Sequence, residues 1–470
     1  MCIYMMLCAH IGLRQRVRAE SNMALLPLVS HALPDSLIAQ GSNGPVTLRQ
    51  FLADVDELAA KLPSAVHLLN VCEDRYRFSV GLASAIVTGK ISLLPSAHTP
   101  EMVRQLKAFA PDVFCLTDSD ACTLDMPQLR YSIMDAKQTD KFIIPQIDST
   151  QCVAVVFTSG STGTPLPHHK TWGALVSSVQ AEALRLGLLD ALPCTLIGTV
   201  PPQHMYGFES TVLMAWHSGH ALCHAQPFYP ADICQALVNV PAPRVLVSSP
   251  VHLRALLDAE LAMPEIDCIV SATAPLSVQL AQEIEARWNA PLMEIYGSTE
   301  TGLIATRRPT QTAEWQLLPG VKLLVEDESS YAYGGHIAIK TTMNDVIEPL
   351  SEEHFLLHGR QSDLVNIAGK RHSLTSLNHL LNTIPGVVDG AFFMPDEKDM
   401  KHVTRLAACV VAPDLNPAQI LKSLREYIDP VFLPRPLLFV DALPRNSTGK
   451  LPRAALQTLF THAHDTQETA

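Results

Sequence analysis

Three short stretches, far apart along the chain, combine hydroxyls, glycines and charged groups in patterns suited to gripping a nucleotide. They are Thr158-Ser-Gly-Ser-Thr-Gly-Thr-Pro165, Tyr296-Gly-Ser-Thr-Glu-Thr-Gly302 and Pro444-Arg-Asn-Ser-Thr-Gly-Lys450. In the first, glycines let backbone N–H groups come close to phosphate oxygens, and the hydroxyls add donors at the same spot. It directly follows Val153-Ala-Val-Val-Phe157, a β-branched apolar run that reads as a strand. It is not the Gly-x-x-x-x-Gly-Lys-Ser/Thr loop of nucleoside triphosphatases, and Leu166 stands where a phosphate-binding lysine would follow. In the third stretch, Gly449 permits a sharp turn that projects Lys450. Between the second and third, Asp345 is followed fourteen residues later by Gly359-Arg360.

This ordered set resembles the superfamily of acyl-CoA synthetases, peptide-synthetase adenylation domains and luciferases, and within it the compact bacterial AMP-ligases. The family's first signature runs Thr-Ser-Gly-Ser-Thr-Gly-x-Pro-Lys-Gly. Thr158 to Pro165 match it, and Leu166-Pro167 depart from its Lys-Gly. The resemblance implies ATP-dependent activation of a carboxylic acid as its adenylate, followed by transfer to the thiol of CoA or of a phosphopantetheine arm on an acyl carrier protein. It places the phosphates against Thr158, Ser159, Gly160, Ser161, Thr162 and Gly163. The base lies between Ala272-Thr273 and Tyr296-Gly297, the α-phosphate at Thr299, and the ribose at Asp345 and Arg360. An aromatic face for adenine and an anionic acceptor for a vicinal diol are sound chemistry for those sites. Glu300 with Thr162 would hold Mg²⁺, a hard cation that favours oxygen ligands. Lys450 would bridge the carboxylate and the α-phosphate, offsetting the charge that builds as they react.

The same resemblance sets His204, in Pro202-Gln-His-Met-Tyr-Gly-Phe208, beside the acyl pocket, with Gly207 and Gly297 leaving room for a substrate. Ser362 occupies the family's hinge position, usually Asp or Lys, and Lys170 is a candidate mobile replacement for the missing loop lysine. Aromatic acids are the favoured substrates and fatty acids the alternative. A non-catalytic acyl- or nucleotide-binding homologue is the rival from another class.

Composition narrows the remaining classes. A formal net charge of −12, without a Lys/Arg cluster, argues against a nucleic-acid partner. Eleven cysteines occur singly with no Cys-x-x-Cys pair, which fits reduced thiols in a cytoplasmic protein better than a structural zinc site. No apolar run approaches the ~20 residues of a membrane span. Met1 to Leu13 is apolar with Arg14, Arg16 and Arg18 after it, the reverse order of a secretory signal. Residues 1–22 therefore read as a start-site extension, with Met23 an alternative beginning.

The elements that must position these motifs read as α/β. A helix over 46–62 with Thr47 as N-cap, a strand over 65–71, a helix over 77–88 and a strand over 91–94 predict parallel sheets flanked by helices. The alternation recurs from Cys152, through a helix over 171–186, to a strand over 195–200. It recurs again at 244–248, 251–261 and 268–270. At 470 residues the chain exceeds what one core supports. The expected division is a large domain over 23–358, a hinge at 359–362, a small α+β C-terminal lid domain over 363–460, and a frayed polar tail over 461–470.

Overall fold

The computed structural model describes residues 24–95, 97–131, 142–158, 165–326, 329–360, 364–367, 370–395, 406–446 and 450–468. The expected start-site extension, Ser159 to Gly163 and Ser362 lie outside the described residues.

Short β-branched runs alternating with amphipathic helices build two large sheets. The first has six strands in the order Leu166–Thr171, Cys152–Thr158, Ile91–Leu94, His67–Asn70, Phe114–Thr117 and Gln128–Arg130. All neighbours are parallel except the Leu166–Thr171 edge strand, which runs antiparallel to Cys152–Thr158. Helix Leu48–Ala59 starts where expected, with the Thr47 hydroxyl accepting from Gln50 N at 3.3 Å.

The second sheet has eleven strands. Its parallel centre runs Leu292–Ser298, Cys268–Ser271, Arg244–Ser248, Thr195–Gly198, Ala221–Cys223 and Leu37–Gly41. Antiparallel strands Gly302–Arg307, Trp315–Leu317, His354–Arg360 and Asp345–Pro349 extend it on one side. Helix Trp172–Arg185 and the helical stretch from Met205 to Ser218 pack between the sheets, burying Trp172, Phe208 and Trp216 in the main core.

Beyond Arg360 the chain builds separate cores. Strands Asp389–Phe393, Ala407–Val411 and Leu437–Phe439 form a sheet flanked by helices Leu374–Asn382, Pro417–Arg425 and Arg453–Glu468. Leu377, Leu381, Ile420 and Leu424 fill one side of it, and Leu456 and Phe460 the other. The tail expectation is corrected here. Residues 461–468 continue the last helix, because Leu456 and Phe460 dock its first turns against Phe393 and Leu438 and nucleate the rest. No helix among the described residues is long and apolar enough to cross a membrane.

Candidate functional site

Thr158 ends its strand and pairs with Leu166 across an antiparallel hairpin, so the glycine-rich loop closes two edge-side strands of the first sheet. The sequence reading led from this loop straight to a helix. A six-residue strand intervenes, and Pro167 is tolerated there because the strand is an edge. His168 and Lys170 share one face of it. His168 Nε2 lies 2.9 Å from Thr158 Oγ1 and 3.9 Å from Glu300 Oε1, bridging the first and second motifs. Lys170 corrects an expectation: it is 9% exposed, and its Nζ donates to the Thr299 carbonyl at 2.5 Å. A lysine held that way pins the second motif's turn and is not a mobile charge for the loop.

The second motif is itself a hairpin, Leu292–Ser298 turning through Thr299, Glu300 and Thr301 into Gly302–Arg307. Ser298 and Thr301 brace the turn, their hydroxyls 3.0 Å apart with Thr301 N donating to Ser298 Oγ at 3.2 Å. Glu300 stands at its tip with its carboxylate reaching solvent. Tyr296 packs its ring against Trp315 and Phe355, and its hydroxyl donates to Asp345 Oδ2 at 2.6 Å. Asp345 sits directly opposite Arg360 on the neighbouring strand. The residues assigned to base and ribose thus converge. On the other side, Ala272 is buried at the end of Cys268–Ser271, and Thr273 adopts a φ of 81°, a conformation that side chains rarely take and that clusters at ligand sites.

The reason for the two pocket glycines differs from the one expected. A Cβ on Gly207 would lie 2.2 Å from the Pro201 carbonyl oxygen, and one on Gly297 would lie 2.4 Å from the Gly302 carbonyl oxygen. The space beside each is filled by the chain's own backbone, so glycine serves close packing there and not room for a substrate.

His204 caps the helical stretch that follows it, its Nδ1 accepting from Tyr206 N at 3.3 Å. Burial pushes its pKa down to about 4, and the nearby positive charge of Lys450 pushes the same way. The imidazole is therefore neutral at neutral pH. Lys450 comes from the C-terminal domain, in a turn closed by Lys450 N donating to Asn446 Oδ1 at 2.9 Å and Asn446 N donating to the Lys450 carbonyl at 2.8 Å. Its charge is near enough to His204 to act on the imidazole.

Two side chains beneath the second hairpin were not anticipated. Glu209 is buried beneath Gly302 and accepts from Ser178 Oγ at 3.0 Å. Burial raises its pKa to about 7 against the lowering pull of Lys170 and Ser178. His336 lies against the same glycine, and burial holds its pKa down at about 4. The available signal was an acid inside an apolar helical run, Phe208-Glu-Ser-Thr-Val-Leu-Met-Ala-Trp216.

The family described as AMP-binding enzyme matches residues 72–340. The 4-coumarate–CoA ligase of Halorhodospira halophila is 30% identical over 304 residues, covering 63% of this chain and 73% of that protein. Among solved structures, ATP-bound MatB from Rhodopseudomonas palustris superposes with a TM-score of 0.77 at 18% identity, covering 91% of this chain and 96% of that one. The o-succinylbenzoate CoA synthetase MenE of Bacillus subtilis, in complex with its acyl-adenylate intermediate, gives 0.76 at 18% identity over 90% and 96%.

Proposed function

The chain belongs to the family of AMP-binding enzymes, and on that footing we propose that it is an AMP-forming acid–thiol ligase. It adenylates a carboxylic acid, with aromatic acids preferred, and passes the acyl group to a phosphopantetheine thiol. The observation that carries this reading is the convergence of Tyr296 on Asp345, which stands opposite Arg360, with Lys450 near enough to His204 for its charge to act on the imidazole.

In the first half-reaction a carboxylate oxygen of the acid attacks the α-phosphorus of ATP, and pyrophosphate leaves. Tyr296 and Asp345 hold the nucleoside end. The Lys450 ammonium neutralises charge shared by the carboxylate and the α-phosphate. Neutral His204 borders the acid without adding a second positive charge. Magnesium held by phosphates needs only one or two protein carboxylates, which Glu300 can supply, with Thr162 as its expected partner; bound there it would neutralise phosphate charge. Thr299 and Lys170 fix the orientation of Glu300 by locking its turn. In the second half-reaction the thiolate attacks the acyl carbon and AMP departs with the bonding pair. Withdrawal of Lys450, by rotation of the C-terminal domain near Ser362, opens the path for the thiol.

The test is pyrophosphate release over a panel of acids, with CoA, with a carrier protein bearing the phosphopantetheine arm, and with neither. Hydroxybenzoate or cinnamate should outrun octanoate, and the reverse ranking overturns the aromatic preference. Lys450→Ala should lower adenylation roughly 100- to 1,000-fold while sparing thiolysis of supplied acyl-AMP. A parent protein that forms no acyl-AMP from any acid returns the reading to a binding homologue.

A further inference from the structure

Strand Leu166–Thr171 turns alternate residues to its two sides, and no register shift interrupts it between Leu166 and Lys170. Leu166, His168 and Lys170 therefore share the face that meets the second hairpin. His169 lies on the other face, its Nδ1 3.7 Å from Cys152 Sγ. Of the basic side chains on the first face, Lys170 is already engaged, buried with its ammonium on the Thr299 carbonyl. Leu166, which stands where the phosphate loop would have its lysine, is exposed and brings no donor.

His168 is left, and its placement is specific. Strand register sets it opposite Val156, so its diagonal neighbour is Thr158, the last residue before the glycine-rich loop. Its Nε2 lies 2.9 Å from Thr158 Oγ1 on one side and 3.9 Å from Glu300 Oε1 on the other. The second distance is beyond a hydrogen bond, so the ring is not committed to Glu300. Both His168 and Glu300 keep part of their surface open to solvent. Burial lowers the His168 pKa, with Glu300 opposing this and Lys170 adding to it. A neutral imidazole still offers one N–H, and the role argued here needs no more.

Resting on the adenylation reading above, we propose that His168 does what a lysine in place of Leu166 would do, holding the β- and γ-phosphate end of ATP between Thr158 and Glu300. With its proton on Nε2 the ring donates to a non-bridging oxygen of that end. When the acid's oxygen bonds to the α-phosphorus, the bond from that phosphorus to the bridging oxygen breaks, and its electron pair leaves with pyrophosphate. His168 transfers no proton in this step. It meets the negative charge that grows on the leaving group with a donor already in place. AMP has no such phosphates, so the contact distinguishes ATP and pyrophosphate from AMP.

The experiment is calorimetric titration, with magnesium present, of ATP, inorganic pyrophosphate and AMP into the parent and its variants. His168→Ala should weaken ATP and pyrophosphate roughly 10- to 100-fold and leave AMP unchanged. His168→Gln, which keeps an N–H, should retain most of the affinity, and His169→Ala, on the opposite face, all of it. Adding Leu166→Lys to His168→Ala should restore most of what was lost. An equal loss for ATP and AMP marks a purely structural role and overturns the inference. ATP binding that His168→Ala does not move, or that Leu166→Lys does not restore, overturns it too. Should His168→Ala not fold, His168→Phe, a ring without N–H, reads the same contrast. A parent that binds ATP with this contrast yet adenylates no acid keeps the phosphate contact and ends the adenylation reading. A parent that binds neither nucleotide ends both.

Discussion

Glu209 shows how one buried side chain can make the ground beneath the Ser298-to-Gly302 turn sensitive to pH. Its folded-state pKa of about 7 stands above the ordinary 4.5, because burial outweighs Lys170 and Ser178. Between those values the folded protein holds a proton that the unfolded chain has released. Stability from this group is full below about 4.5 and is lost as pH rises through about 7, on the order of 3 kcal/mol in all. Buried His204, His217 and His336, with pKa values near 4, 3 and 4, act with opposite sign below 6.5, so the readout is a difference between proteins. Urea midpoints from about pH 5 to about pH 8 should fall more steeply for the parent than for Glu209→Gln. Parallel curves would show that Glu209 carries its ordinary pKa. The groups that face it, Lys170, His336 and Glu182, are unchanged in that comparison.

Two hairpins and one helical stretch do the positioning at the scale of elements. The Tyr296-to-Gly302 motif stood out in the sequence because its residue types are unusual together, but its form did not. The strand register shifts between Tyr296 and Gly297, next to the residue whose hydroxyl donates to Asp345. Gly297→Ala would drive a Cβ to 2.4 Å from the Gly302 carbonyl oxygen. It should cost about 1–3 kcal/mol of stability and raise the KM for ATP; an unchanged melting temperature would show that the bulge has room to relax. The Leu166–Thr171 strand escaped sequence reading because Pro167 and two histidines hide its alternation, and only pairing with Cys152–Thr158 makes it a strand. Lys170 was misjudged for the same reason, since a lysine's stem can be buried only where a carbonyl happens to receive its head.

At the scale of the molecule, the chain up to Arg360 and the chain beyond it hold separate cores. Residues 24–360 alone should fold and gain thermal stability with ATP, yet adenylate as poorly as Lys450→Ala. Near-parental pyrophosphate release by that fragment would remove Lys450 from the mechanism. The linear sequence by itself determined the α/β alternation and the likeness to AMP-binding enzymes, because local periodicity and rare residue combinations are properties of neighbouring residues. Tertiary structure alone decided that Tyr296 bonds Asp345, that Lys170 supports a turn, that Gly207 and Gly297 serve backbone packing, and that His168 stands between Thr158 and Glu300. Those outcomes depend on which distant atoms share a volume and how much water they lose, quantities that exist only once the chain has closed on itself.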